Sequence, residues 1–396
     1  MQPLANIRVL DLTNVLAGPF CCHQLAHLGA EVIKVEAAGR GDLARQLGAD
    51  PDLNAKGMGV SFLAQNAGKK SFTVNLKHPE GKALFLRLVK TAEVVVENFR
   101  PGVMDQLGVG YDTLKAVNPT LIYCAISGFG QDGPWAKRPA YDQIIQGVAG
   151  VMSITGDSDS VPLRVGYPLA DTVGGITAAF AISAALNSNP RGAFIDVSML
   201  ESVLATMGWA VSNYLVAGVE PSANGNENLT SAPSGTFQAE DGPINIAANK
   251  DEQWVLLTDY LKLTGLQTRP EYATREDRKR NRLALKAELE AVLQTRPAQA
   301  WARDLNEAGV PCGEVLSVPE VLRRKQVADR GFLHGFKDVP GVGRDIEVVT
   351  TGIKINGTTP TVDTPPPLLG EHNAAICAEL GLSESELERL SKDGAI

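Results

Sequence analysis

The chain opens as strand, helix and strand, but lacks the glycine loop that dinucleotide-binding proteins place between the first two. Ile7-Arg8-Val9-Leu10-Asp11-Leu12 is a short apolar run, and a helical stretch follows with apolar Cys21, Cys22, Leu25 and Leu28. Gly29 closes that helix, and Glu31-Val32-Ile33-Lys34-Val35-Glu36 makes a second strand. A G-x-G-x-x-G fingerprint belongs at the first turn, where only Gly18 stands. Glu36 ends the second strand where a ribose-binding acid would sit, yet the missing glycines count against a nicotinamide dinucleotide.

Other absences narrow the class further. The five cysteines (Cys21, Cys22, Cys124, Cys312, Cys377) form no C-x-x-C pair and no zinc spacing; scattered thiols in odd number suit a reduced, cytoplasmic setting and no metal site. There is no cationic excess: the net charge is −8, which argues against a nucleic-acid partner. The longest uncharged apolar run, Val173 to Leu186, is too short to span a bilayer and is broken by Gly174-Gly175. Met1-Gln2-Pro3-Leu4 has neither the basic start nor the apolar core of a signal peptide. Repeats and low-complexity tracts are missing too.

What is present is an α/β alternation. Phe72–Leu76, Val94–Val96, Leu121–Ile126 and Phe194–Val197 read as further buried strands, with helices such as Pro79–Lys90 between them. Continuous apolar strands separated by amphipathic helices indicate a doubly wound parallel sheet covered on both faces. The 396 residues allow two domains on a prior of roughly 100–200 residues each. The texture predicts a large domain over 1–218, a polar linker near 219–228 and a smaller α+β domain over 225–320. A second linker spans about 319–345, and 340–396 returns to the large domain. Arg278-Lys279-Arg280 reads as a solvated helix face, and Ser383 with Glu386 as a capping box on the last helix.

Four islands stand out as candidate site segments: Asn14–Pro19, Glu97–Gly102, Lys137–Gln143 and Arg164–Gly175. The first two follow strands, where open parallel sheets build their ligand crevice. Asp171 is the sharpest candidate, a lone acid among apolar neighbours at the start of an apolar helix. An N-cap role would explain it, and so would a poorly solvated nucleophile held anionic by the helix dipole. Gly174 and Gly175 would let a ligand approach the backbone closely.

Together the islands resemble the family III CoA-transferases, the group that includes formyl-CoA, carnitine and succinate–hydroxymethylglutarate CoA-transferases. The resemblance runs in order through Val9-Leu10-Asp11-Leu12, Leu16-Ala17-Gly18-Pro19, Leu28–Glu36, Gly41-Asp42, Asn98–Gly102, Ser127–Gly130, Tyr141-Asp142, Asp171, Gly309–Gly313 and Leu368–His372. It implies Asp171 as nucleophile, passing through an aspartyl anhydride and an aspartyl-CoA thioester. It implies coenzyme A thioester as substrate rather than a resident cofactor, and places Ala17, Arg40, Val74, Asn98, Phe99, Arg100, Lys137 and Arg138 beside it. It also implies a homodimer whose two chains interlock like links.

There are departures. Ala37-Ala38 replace an arginine common after the second strand, leaving Arg40 to substitute, and Gln106 stands where some relatives carry a cation. Asn249–Gln253 replaces the glycine-rich loop of formyl-CoA transferase, which argues against that substrate. A 2-methylacyl-CoA racemase on the same fold needs a histidine opposite the aspartate, but Pro139-Ala140-Tyr141-Asp142 has none. The overall likeness favours succinyl-CoA as donor and a small dicarboxylate acceptor such as itaconate, mesaconate, citramalate or glutarate.

Overall fold

A computed structural model of the chain describes residues 2–396. They divide into two compact units: residues 2–151, Arg164–Val219 and Lys325–Ile396 form the first, and Met152–Leu163 with Glu220–Arg324 the second.

The first unit is built on six strands, β1 (Arg8–Asp11), β2 (Glu31–Glu36), β3 (Lys69–Thr73), β4 (Val94–Glu97), β5 (Ile122–Ser127) and β6 (Ala193–Ser198). All neighbours pair in parallel, in the order β3-β2-β1-β4-β5-β6. This is the doubly wound arrangement. Every residue of β4 and β5 is buried, as expected of central strands covered on both faces. Helix α1 (Ala17–His27) follows β1, and α2 (Pro79–Val89) follows β3 with Pro79 at its first position. Helices α3 (Asp142–Val148) and α4 (Leu169–Ala185) come between β5 and β6; α5 (Met199–Thr206) and α6 (Trp209–Ala217) follow β6.

The third strand starts three residues earlier than its apolar run suggests. Lys69 is admitted to the core because its ammonium pairs with Asp11. The C-terminal segment covers the open edge of β3: Thr73 donates to Asn373 and receives its amide in return, and His372 donates to the Ser71 carbonyl. The last helix, Glu384–Lys392, carries the expected Ser383–Glu386 capping box. Val74, expected at the ligand, has its side chain in the core cluster with Leu10, Leu12, Phe72 and Val95.

The second unit carries an antiparallel sheet of β7 (Ser234–Gln238), β8 (Pro243–Ala247) and β9 (Cys312–Glu314), packed with helices around Trp254, Leu257, Leu289, Trp301 and Leu305. Two expectations fail here. Met152–Leu163 lies in this unit rather than in the range 1–218, tied by the Gly225 N–H to the Gly156 carbonyl at 2.7 Å. Arg278 is no solvated cation: it is 2% exposed, donates to the Ala232 and Tyr272 carbonyls, and pairs with Asp251. The supposed second linker also holds structure, since Leu333–Phe336 pairs with Ile346–Val349 in the first unit. Among the described residues no helix is long and apolar enough to cross a membrane.

Candidate active site

Strand order reverses between β1 and β4, so the loops leaving their carboxyl ends flank the switch-point crevice. The loop after β1 has no glycine cradle; buried charges shape it instead. Asp11 accepts from the Thr13 N–H (3.0 Å) and hydroxyl (2.5 Å) and pairs with Lys69 at 2.8 Å, which also donates to the Pro19 carbonyl. Lys34 donates to the Thr13 carbonyl and pairs with Asp42, both at 2.9 Å. Asp42 in turn accepts from the Val15 N–H at 2.9 Å. The Asn98 side chain closes the arrangement from the loop after β4, taking the Asn14 N–H and donating to its carbonyl, each at 2.8 Å. Burial alone would raise the Asp11 carboxyl; Lys34 and Lys69 overcome it and hold it at about 2.

Glu36 has no capacity left for a ribose. Its oxygens receive the Arg45 guanidinium at 2.7 and 2.8 Å, the Ser71 hydroxyl at 2.6 Å and the Asp42 N–H at 3.0 Å. The dinucleotide reading therefore loses its acid as well as its glycines.

Helix α4 positions Asp171. Its first residues are Leu169 and Ala170, with Pro168 as the N-cap, so Asp171 sits third in the helix and is not itself the cap. That role falls to Asp142, whose buried carboxylate accepts from the Ala170 N–H at 2.8 Å and is held by Gln146 (2.8 Å) and Arg164 (3.3 Å). Asp171 is half-buried, and among the described residues no group donates to its carboxylate. Burial, and after it the Asp142 charge, pushes Asp171 up to about 7. The helix dipole favours an anion at this position but does not prevail.

The two glycines of α4 serve packing rather than ligand approach. A Cβ on Gly175 would lie 2.5 Å from the Ala17 carbonyl oxygen, and one on Gly174 would lie 2.9 Å from Met199 Cγ. Thus α1 and α4 meet backbone to backbone at Ala17. Asp171, four residues before Gly175, occupies the same helix face one turn toward the crevice.

The remaining expected residues are dispersed. Phe99 is half-buried against the core, and its N–H donates to Glu97 at 2.7 Å. Glu97 was not singled out within its island, yet burial pushes this acid up to about 7. Arg100 and Lys137 are exposed; Arg138 lies on the Trp135 ring at 4.6 Å. Arg40 lines a cavity of about 410 Å³ with Lys56, Asn54 and Leu369. Sequence reasoning gave no role to Asp42 or Asp142. The amides they hold, Val15 and Ala170, lie 27 and 28 residues away, beyond any local pattern.

The model for CoA-transferase family III matches residues 4–373. The chain belongs to that family. An acetyl-CoA:oxalate CoA-transferase of Acetobacter aceti is 39% identical, covering 97% of both chains. A succinate–glutarate CoA-transferase of Agrobacterium fabrum is 38% identical over 96% of each. Among solved structures, a CaiB/BaiF family protein of Brucella suis superposes with a TM-score of 0.82 at 35% identity, covering 96% of this chain and 99% of its own. This protein is thus a family III CoA-transferase, and a CoA thioester is its substrate.

Proposed function

We propose that the enzyme moves CoA from succinyl-CoA to a small dicarboxylate of four to six carbons through covalent intermediates on Asp171. One observation carries the reading: a half-buried carboxylate without a donor stands at the crevice end of α4. In the deprotonated form it attacks the donor carbonyl, giving a mixed anhydride and CoA thiolate. The thiolate returns to the aspartyl carbonyl and expels the donor carboxylate, leaving an aspartyl-CoA thioester. The acceptor carboxylate then attacks, and the steps run in reverse. Each intermediate keeps the thioester's activation, which is what covalent catalysis contributes, provided water is excluded.

The relatives' named acceptors, oxalate and glutarate, support a dicarboxylate. Tyr141 stands where the matching segment of a racemase would carry its histidine, so two-base chemistry lacks a base. Arg40 and Lys56 fit the phosphates of the CoA nucleotide; Arg100, Lys137 and Arg138 are the other candidate cations. Helix α6 buries none of its residues, and Trp209, Leu215, Val216 and Phe180 are 71, 73, 87 and 74% exposed. An apolar surface of that extent supports an interlocked homodimer as the working form. Four of the five free thiols are buried, which suits the cytoplasm.

An acceptor screen with succinyl-CoA tests the substrate. Transfer to one or more of itaconate, mesaconate, citramalate and glutarate is expected. Transfer to none of them, with formate or a monocarboxylate accepted instead, contradicts the assignment.

A further inference from the structure

Val15 has φ +66°, the left-handed region that a β-branched side chain adopts only under strain. Among the described residues three other non-glycines have positive φ, namely Lys262, Asp338 and Asn356, none of them β-branched. Val15 lies two residues before Ala17, where α1 meets the helix of Asp171. It is only half-buried, so burial of its side chain does not by itself account for the conformation.

Side chains from elsewhere do. Thr13 is held through its N–H and hydroxyl by Asp11 and through its carbonyl by Lys34. Asn14 is held at both backbone groups by Asn98. Val15 is held at its N–H by Asp42. Asp42 is itself fixed: its N–H donates to Glu36, its Oδ1 also accepts from the Ala44 N–H at 2.9 Å, and Lys34 pairs with its other oxygen. Gly41, at φ +67°, brings Asp42 into this position, and a Cβ there would meet Arg45, Glu36 and Leu369 at 2.9 Å. The strained turn is therefore imposed by a relay of buried groups running from β2 to the loop.

We propose that Asp42 is a positioning residue for the CoA-transfer reaction, holding Val15 in the left-handed conformation so that the Leu16–Ala17 backbone is set against the start of α4 before the thioester arrives. The role rests on the Asp171 reading above. It acts through the loop and not by contact with the substrate. A loop fixed in advance avoids ordering on binding, and displacements of about 1 Å at such positions can lower rates on the order of 100-fold.

The test is a rescue experiment on the full-length enzyme with succinyl-CoA and glutarate, accompanied by hydrogen exchange of the peptide covering residues 12–18. Asp42→Ala removes the acceptor, lets Val15 relax, and is expected to lower kcat at least about tenfold and to speed exchange at the loop. Adding Val15→Gly should recover most of that kcat, because glycine takes positive φ without strain. Asp42→Asn retains an oxygen for the Val15 N–H and should recover kcat even where the melting temperature falls, since it loses the Lys34 pair. If Asp42→Ala does not fold, the Asp42→Asn variant decides: a folded protein with kcat lowered more than about tenfold shows that charge, and not the held amide, matters, and overturns the proposal. Folded Asp42→Ala with unchanged kcat, or a loss that Val15→Gly does not relieve, overturns it as well. An Asp171→Ala enzyme that retains transfer defeats the underlying reading instead, and the exchange data on the loop still decide the role of Asp42.

Discussion

The Asp142 carboxylate accepts the Ala170 N–H at 2.8 Å, and Asp171 is the next residue. One acid therefore caps the helix while its charge raises the other. Asp171, third in the helix, takes none of the free N–H groups of its own first turn, and the Ala170 N–H is met from another element.

Replacing Asp142 with Asn keeps an oxygen for the Ala170 N–H but removes the charge that helps raise Asp171. With Asp171 as the proposed anionic nucleophile, kcat/KM should rise with pH through about 7 in the wild type. In Asp142→Asn that limb should move to lower pH. A limb that stays in place while only the melting temperature falls would leave Asp142 a purely structural cap.

Arg100 is exposed at the end of the loop after β4. If it holds a CoA phosphate, a charge-assisted contact contributes roughly 1.5–3 kcal/mol. Arg100→Ala should then raise KM for the acyl-CoA about tenfold or more with kcat less affected. A change confined to the dicarboxylate KM would reassign Arg100 to the acceptor, and no change at all would remove it from the site.

Acid should destabilise the fold in two stages. His23 and His27 lie buried in α1, and burial drives both below the ordinary histidine range. A base depressed in the folded state adds stability above its unfolded pKa, roughly 6.5, and that stability is lost as pH falls below it. Asp11, held at about 2, contributes stability above its unfolded pKa that is lost as pH falls toward 2. Denaturant unfolding between pH 8 and 5 should show the first stage, and His23→Gln should flatten it. An unaltered slope in that variant would remove His23 as a cause.

The strands were legible because burial on both faces leaves continuous apolar runs, and Glu31–Glu36 has the same bounds in sequence and structure. Asp171 was legible as an acid without local justification. What the sequence hides is pairing at a distance. The reach of Asp142 to Ala170, the relay from Lys34 to Asp42 and the burial of Arg278 are set by tertiary contacts, and each looks locally like an ordinary surface charge. Gly174-Gly175 misled for a related reason: small residues permit a close approach, but only the packed helices show that the approaching group is Ala17 of α1.

The most direct test of the covalent account is to incubate the enzyme with succinyl-CoA, trap with hydroxylamine and map the modified residue by mass spectrometry. The account predicts a hydroxamate on Asp171, dependent on acyl-CoA and lost in Asp171→Asn along with transfer activity. A hydroxamate on another residue, or an Asp171→Asn enzyme retaining more than about a hundredth of wild-type kcat, a loss of under ~2.7 kcal/mol, would contradict it.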